Sequence, residues 1–145
     1  MNEAGVGTEA AGGDVALYTE RRVVRFQDVD AAGIVFFART FDYFHDAYVA
    51  CLRERGASLE AALRSGEWAA PLRRAEAEYL RPLHFGDAID VSVVAVRIDE
   101  TEWTVEYRID RDGETAAVGR TLHGSVDPTT VRRATVPDAL LAALR

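Results

Sequence analysis

Two aspartates, separated by one residue, open the part of the chain best suited to chemistry. Asp28 and Asp30 end a strand-like run, and a small turn containing Gly33 follows them. An apolar-faced helix is predicted to begin directly after this turn. The start of a helix carries unpaired N–H groups and the positive end of the helix dipole, so it attracts negative charge. A carbonyl bound there would be polarised, and a neighbouring carboxylate could attack it or activate a water molecule.

The helix after the turn is predicted from the spacing of its apolar residues. A set of them recurs at steps of three and four and therefore shares one helical face. These residues are Phe37, Phe41, Phe44, Tyr48, Cys51 and Leu52. The helix is expected to span about residues 36–55, with Gly56 as its stop. Its apolar stripe needs a surface to pack on, and a curved sheet would provide one.

The rest of the chain is predicted to form one strand before the helix and several strands after it. Residues 17–27 have a strand-like pattern, and Ser58 is predicted to cap a short helical turn over 58–63. The pair Asp112-Gly113 is a hairpin signal. Further strands are predicted over 68–80, 88–98, 102–110 and 115–126, and a short closing helix over 138–144.

This order of elements predicts an α+β hot-dog fold, in which a curved antiparallel sheet wraps a long central helix. Residues 17–145 form one domain in this interpretation, and residues 1–16, which show no periodicity, form a flexible tail. A single copy would leave a sheet edge open, and open edges favour pairing. We therefore expect a homodimer with a continuous sheet, or a homotetramer made of two such dimers.

Composition and charge exclude several classes of function. The chain has 145 residues and a formal net charge of −7, which argues against a broad nucleic-acid partner. No apolar run is long enough for a membrane span, and no signal peptide precedes Arg21, so a cytoplasmic protein without a membrane partner is expected. The single cysteine, Cys51, is interpreted as a buried hydrophobe. His84 and His123 lack metal-ligand spacing, so neither a metal nor another cofactor is expected.

The stretch Asp28-Val29-Asp30-Ala31-Ala32-Gly33-Ile34-Val35-Phe36-Phe37 resembles the active-site signature of the 4-hydroxybenzoyl-CoA thioesterase family of hot-dog enzymes. Residues 44–48 fit the helix that continues this signature. Residues 65–72 and 84–87 are similar to the branch that hydrolyses 1,4-dihydroxy-2-naphthoyl-CoA in menaquinone and phylloquinone biosynthesis. The resemblance covers about residues 18–126.

The resemblance implies an acyl-CoA thioesterase that releases an aromatic acid and coenzyme A without a cofactor. It implies that Asp30 is the catalytic carboxylate, either as a nucleophile or as a general base. It also implies that the backbone N–H of Phe37 polarises the thioester carbonyl. Asp28 is interpreted as a structural residue that orients the turn.

Other residues are candidates for contact with the substrate. Gly33 permits a positive φ or a close approach of the ligand, and Ile34 follows it in the signature. His45 either lines the acyl pocket or is a hydrogen-bonded helix residue, and Trp68 either lines that pocket or packs in the core. The stretch 99–102 is acidic where relatives carry a basic cluster for the phosphates, so Arg97 is proposed for that contact, with Arg132 and Arg133 as further candidates.

Two other functions fit the same pattern. One is a thioesterase that releases an acyl chain from an acyl carrier protein in polyketide or fatty-acid synthesis. The other is a non-catalytic hot-dog protein that binds an acyl-CoA as a sensor. The acidic charge and the lack of a DNA-binding helix pair count against the sensor.

Overall fold

One long helix and one antiparallel sheet contain about half of the residues that the computed structural model describes, which are residues 15–145. The tail predicted over 1–16 lies, except for its last two residues, outside this described part. A short 3₁₀ helix, which the sequence pattern did not predict, spans Phe26–Asp28. In chain order the elements are β1 (Tyr18–Val23), α1 (Phe37–Glu54), α2 (Leu59–Ser65), β2 (Leu72–Tyr79), β3 (Ala88–Ile98), β4 (Glu102–Arg111), β5 (Glu114–Gly124) and α3 (Asp138–Leu144).

The strands form a single sheet in the order β1-β3-β4-β5-β2, and every neighbouring pair is antiparallel. The predicted α+β arrangement of a long helix against an antiparallel sheet is confirmed. Both β1 and β2 lie at sheet edges, so each has one side without a strand partner among residues 15–145. None of the helices in that range is long and apolar enough to cross a membrane.

Residues in the turns determine where several of these elements begin and end. The Ser58 side chain accepts a hydrogen bond from the amide of Ala61 at 3.2 Å, which confirms the predicted helix cap. Asp112 and Gly113 have positive φ angles of 53° and 78°, as a tight hairpin between β4 and β5 needs. The strand predicted over 68–80 begins only at Leu72, after a proline that cannot donate to the ladder.

The core lies between α1 and the inner face of the sheet. Phe44 of α1 stacks on Tyr107 of β4, with ring centroids 4.7 Å apart and planes inclined by 11°. The predicted alternation of β4 is confirmed on this face, where Trp103, Val105, Tyr107 and Ile109 are all buried. The prediction that Phe37 shares the apolar stripe of α1 is wrong, because its side chain is 61% exposed at the start of the helix.

Polar groups inside this core are connected to one another. The Trp103 indole donates to the Tyr48 hydroxyl at 3.1 Å. Thr121 Oγ1 lies 2.8 Å from His123 Nε2 and 2.8 Å from the Tyr107 hydroxyl oxygen. Burial lowers the pKa of His123 to about 4, so the ring is neutral at pH 7. His123 therefore serves packing and hydrogen bonding in this core.

Gly119 permits the closest approach between α1 and the sheet. A methyl group at this position would lie 2.5 Å from the Phe44 ring and 2.7 Å from the Glu76 carbonyl oxygen. Both distances are far below a normal contact, and the carbonyl belongs to the backbone of β2 and cannot rotate away. Glycine at this position therefore allows α1 to pack onto β5.

We predict that Gly119→Ala lowers the free energy of unfolding by about 1–3 kcal/mol, because overpacking displaces Phe44 or β2. Urea denaturation monitored by circular dichroism measures the change. Gly124→Ala is the matched control, because its added methyl would meet only the flexible Arg73 side chain, at 3.0 Å. Equal losses in the two variants would contradict this account of Gly119.

Candidate active site

Asp30 sits at the start of a tight turn between the 3₁₀ helix and α1. The amide of Asp30 donates to the Ile34 carbonyl at 2.9 Å, and the Gly33 amide donates to the Asp30 carbonyl at 2.9 Å. Gly33 has a φ of +83°, which favours glycine. The Asp30 carboxylate accepts a hydrogen bond from the Ala32 amide at 2.9 Å through Oδ1. One carboxylate oxygen is thus fixed by the turn, and the side chain as a whole is exposed.

Asp28 holds this turn in place through the hydrogen bonds of its buried carboxylate. Its carboxylate is 1% exposed and accepts two hydrogen bonds from the Arg25 guanidinium, each at 3.2 Å. The Tyr43 hydroxyl donates to the same carboxylate at 2.9 Å, and Arg39 Nε lies 3.8 Å from it. Burial alone would raise the pKa of Asp28, but the bonds from Arg25 and Tyr43 and the charge of Arg39 outweigh it and lower this pKa. These contacts agree with the predicted structural role of Asp28.

The first turn of α1 has free backbone donors. The amide of Phe36 donates to the Asp28 carbonyl at 2.9 Å, and the helix has no side-chain cap. Within residues 15–145, the amides of Phe37 and Ala38 have no acceptor. An uncapped helix start carries a partial positive charge that can bind an oxyanion or a polarised carbonyl. The helix start thus offers the kind of donor that the family resemblance implies for Phe37.

A pocket of about 370 Å³ lies between the turn and the sheet. One wall comes from the turn and the helix start, and the other comes from the end of β2, the segment after it and β5. The lining residues are Asp30, Ile34, Val35, Phe36, Phe37, Thr40, Tyr79, Leu80, Arg81, Pro82, Leu83, Ala116 and Ala117. The lining is mainly apolar with a carboxylate at one side, as expected of a pocket for an apolar or aromatic acyl group.

Of the residues proposed for substrate contact, Ile34 lines this pocket. The others lie outside its lining, namely Gly33, His45, Trp68 and Arg97 and the further candidates Arg132 and Arg133. His45 is exposed farther along α1, with its ring 6.0 Å from that of Tyr48. Trp68 is 6% exposed and belongs to the core. Arg97 lies on β3, and its guanidinium is 3.2 Å from the Glu106 carboxylate. Contact of these side chains with a substrate stays a prediction.

Sequence reasoning missed the residues that the sheet contributes to the pocket. Tyr79 at the end of β2 and the small residues Ala116 and Ala117 of β5 line the cavity. Arg81, which follows β2, and Thr40, which lies on α1, also line it and were missed. The pairing of Tyr79 with Ala117 on neighbouring strands brings these two positions together. The hairpin at 112–113 predicts the pairing of β5 with β4, but no signal in the sequence gives the register of β5 against β2 that places Ala117 opposite Tyr79.

Comparison with known proteins identifies a matching family and relatives whose names agree with it. The family model described as the thioesterase-like superfamily matches residues 24–144. The chain is 32% identical over 127 residues to the 1,4-dihydroxy-2-naphthoyl-CoA hydrolase of Synechococcus elongatus, covering 87% of this chain and 93% of that protein.

Solved structures give the same fold. The 1,4-dihydroxy-2-naphthoyl-CoA thioesterase of Synechocystis aligns with a TM-score of 0.82 and 25% identity, covering 88% of this chain and 94% of the other. A thioesterase of Thermus thermophilus, solved in complex with coenzyme A and Zn, aligns with a TM-score of 0.76 and 27% identity, covering 90% and 92% of the two chains.

We predict that Asp28→Asn lowers the free energy of unfolding at pH 7 by about 1.5–3 kcal/mol, the range for a hydrogen bond to a charged group. Because folding lowers the pKa of Asp28, its stabilising effect is complete above its unfolded pKa of about 3.9 and is lost as the pH falls through the lower folded value. The difference between wild type and variant should therefore shrink below about pH 4.

Urea denaturation at a series of pH values measures this difference. Asp42→Asn is the control, because Asp42 is exposed and its 3.0 Å pair with Arg39 is a surface ion pair worth about 0–1 kcal/mol. If the two variants lost the same stability at pH 7, the anchoring role of Asp28 would be refuted.

Proposed function

The chain belongs to the thioesterase-like superfamily, and from this premise we propose that it hydrolyses an aromatic acyl-CoA of the 1,4-dihydroxy-2-naphthoyl-CoA type to the free acid and coenzyme A. The predicted relationship to the hot-dog thioesterases is confirmed by this membership. The observation that carries the proposal is the Asp30 carboxylate at the edge of an apolar pocket that also borders the uncapped start of α1. Relatives about 32% identical, which are named as hydrolases of that substrate, support the choice of acyl group.

The proposed chemistry uses Asp30 and the helix start together. The thioester carbonyl oxygen accepts a hydrogen bond from the Phe37 amide, which stabilises the negative charge that develops on this oxygen. In one route, Asp30 attacks the carbonyl carbon, the C–S bond breaks, and water hydrolyses the mixed anhydride. In the other, Asp30 takes a proton from a water molecule that attacks the same carbon, and the CoA thiolate leaves. A thiolate leaves readily, so neither route needs a strong general acid.

We predict that Asp30→Asn lowers kcat/KM for an aromatic acyl-CoA by about 10²–10⁴-fold, the usual contribution of a positioned acid or base. Asp42→Asn removes an exposed carboxylate from the same helix region and should keep wild-type activity. Release of free thiol is measured for bicyclic aromatic, monocyclic aromatic and short aliphatic CoA esters, and for an ester on an acyl carrier protein. Equal activity of wild type and Asp30→Asn would remove this carboxylate from the mechanism.

The same panel separates the alternative functions. A preference of tenfold or more for the carrier-bound ester, about 1.4 kcal/mol, would favour the carrier-protein thioesterase. Tight binding of coenzyme A esters without thiol release would favour a sensor. Hydrolysis with the highest kcat/KM on the bicyclic ester is the result that we expect.

We also infer that the protein is at least a homodimer joined through the open edge of β2. Leu72, Tyr79 and Leu80 are each 50–56% exposed along this strand and just after it. Arg74 and Glu78 lie on one face of β2, so an antiparallel copy can set the arginine of one strand near the acid of the other. Pairing of this kind would extend the sheet and cover the apolar side chains.

We predict that Arg74→Glu weakens self-association by about tenfold or more, because the charged face of β2 then becomes wholly acidic and repels its copy. Sedimentation velocity over a range of protein concentrations measures the effect, and it also distinguishes a dimer from a tetramer. Mixing Arg74→Glu with Glu78→Arg should restore association, since the two faces become complementary. Unchanged association of Arg74→Glu at low salt would argue against this interface.

A further inference from the structure

Tyr79 forms a hydrogen bond between the two walls of the pocket. It is the last residue of β2, and its hydroxyl donates to the carbonyl oxygen of Phe37 at 2.9 Å. Both residues line the pocket, one from the sheet wall and the other from the helix wall. The hydroxyl therefore attaches the first residue of α1 directly to the end of the edge strand.

The fold itself gains little from this bond. Tyr79 is 50% exposed in the single chain, so water can replace either partner there, and such an exchange leaves only a small net stabilisation. The Phe37 carbonyl also belongs to the helical hydrogen-bond ladder of α1. The hydroxyl is thus a second donor to a carbonyl that already accepts a hydrogen bond within the helix.

The bond acts on the residue whose amide is proposed to polarise the substrate. A backbone donor is effective only if it lies within hydrogen-bond distance of the place where the negative charge develops. Small displacements of a positioning group reduce rates strongly even when binding survives. Burial raises the pKa of Tyr79 above its usual value, so the hydroxyl stays protonated as a donor at neutral pH.

We propose that Tyr79 is a positioning residue, whose hydroxyl holds Phe37 so that its amide N–H faces the thioester carbonyl oxygen. This inference rests on the proposed thioesterase function. It adds a residue from the sheet wall to a proposed catalytic set, Asp30 and the Phe37 amide, that the sequence placed in the segment 28–37. It also predicts that the hydroxyl affects the chemical step more than it affects substrate binding.

The test is Tyr79→Phe, which removes the hydroxyl and keeps the ring in the pocket. We expect kcat on the bicyclic aromatic CoA ester to fall about 3–10-fold, as the loss of one hydrogen bond allows, with KM changed less than twofold. The melting temperature should stay near that of wild type. Tyr18→Phe is the control, because its hydroxyl donates to Glu20 on β1 at 3.0 Å and should leave kcat unchanged.

Inert ligands separate positioning from general damage to the pocket. One is an aroylmethyl-CoA thioether, which keeps a carbonyl, and the other is the arylethyl-CoA thioether, in which CH₂ replaces that carbonyl. Calorimetry should show that Tyr79→Phe weakens binding of the carbonyl compound by about 1.5–2-fold, in line with the small change in KM, and leaves the other unchanged.

Wild-type kcat in Tyr79→Phe, or equal weakening for both thioethers, would overturn the inference about Tyr79 while leaving the hydrolase proposal intact. A wild-type protein that hydrolyses none of the CoA esters would refute the proposed function itself. The two failures are therefore distinguishable in one set of measurements.

Discussion

The arrangement of the site depends on one buried carboxylate. Asp28 joins the 3₁₀ helix through Arg25 and the long helix through Tyr43, while its carbonyl accepts the Phe36 amide at the start of that helix. A carboxylate that is only 1% exposed needs such partners, because burying it unpaired would cost several kcal/mol. The same contacts that keep Asp28 ionised therefore fix the relative positions of the turn and the helix. The position of Asp30 relative to the free amides of α1 therefore depends on the contacts of Asp28.

The two aspartates of the motif differ in burial and in hydrogen bonding, and this difference suits them to different roles. Asp28 has its carboxylate bonded to Arg25 and Tyr43, and it is closed off from solvent. Asp30 is exposed at the pocket, and one of its oxygens is bound by the Ala32 amide. A carboxylate that is saturated with donors is a poor nucleophile or base, whereas one with a free oxygen at a cavity can react. The geometry thus supports the second aspartate as the reactive one on grounds independent of the family signature.

Local patterns in the sequence were sufficient to predict the main helices and strands but not all the residues that line the pocket. The apolar spacing of α1, the Ser58 cap and the Asp112-Gly113 hairpin act over a few residues, and each appears in the structure close to its predicted place. The 3₁₀ helix over 26–28 is too short to produce a periodic signal. Phe37 fits the helical spacing but lies at the first position of the helix, beyond the sheet that buries the later turns.

The sheet wall of the pocket could not be read from spacing, because it comes from strand pairing between distant parts of the chain. Tyr79 meets Ala117 only through the register of β2 against β5, and Arg97 is turned to the outer face of the sheet by the alternation of β3. A one-residue shift in either register would exchange the inner and outer side chains. The family signature pointed to the carboxylate proposed as catalytic and to the helix start, which are contiguous in sequence.

An apolar rim around the pocket links the site to the open sheet edge. Phe36 and Phe37 are 44% and 61% exposed on the helix side, and Tyr79 and Leu80 are half-exposed on the strand side. Exposed apolar groups this close together are typical of a surface that is covered in the working protein. A second copy paired along β2 would bring a new surface to this rim and exclude water from the thioester carbonyl. Because hydrogen bonds to a developing oxyanion strengthen when water is excluded, assembly and catalysis would then depend on the same strand.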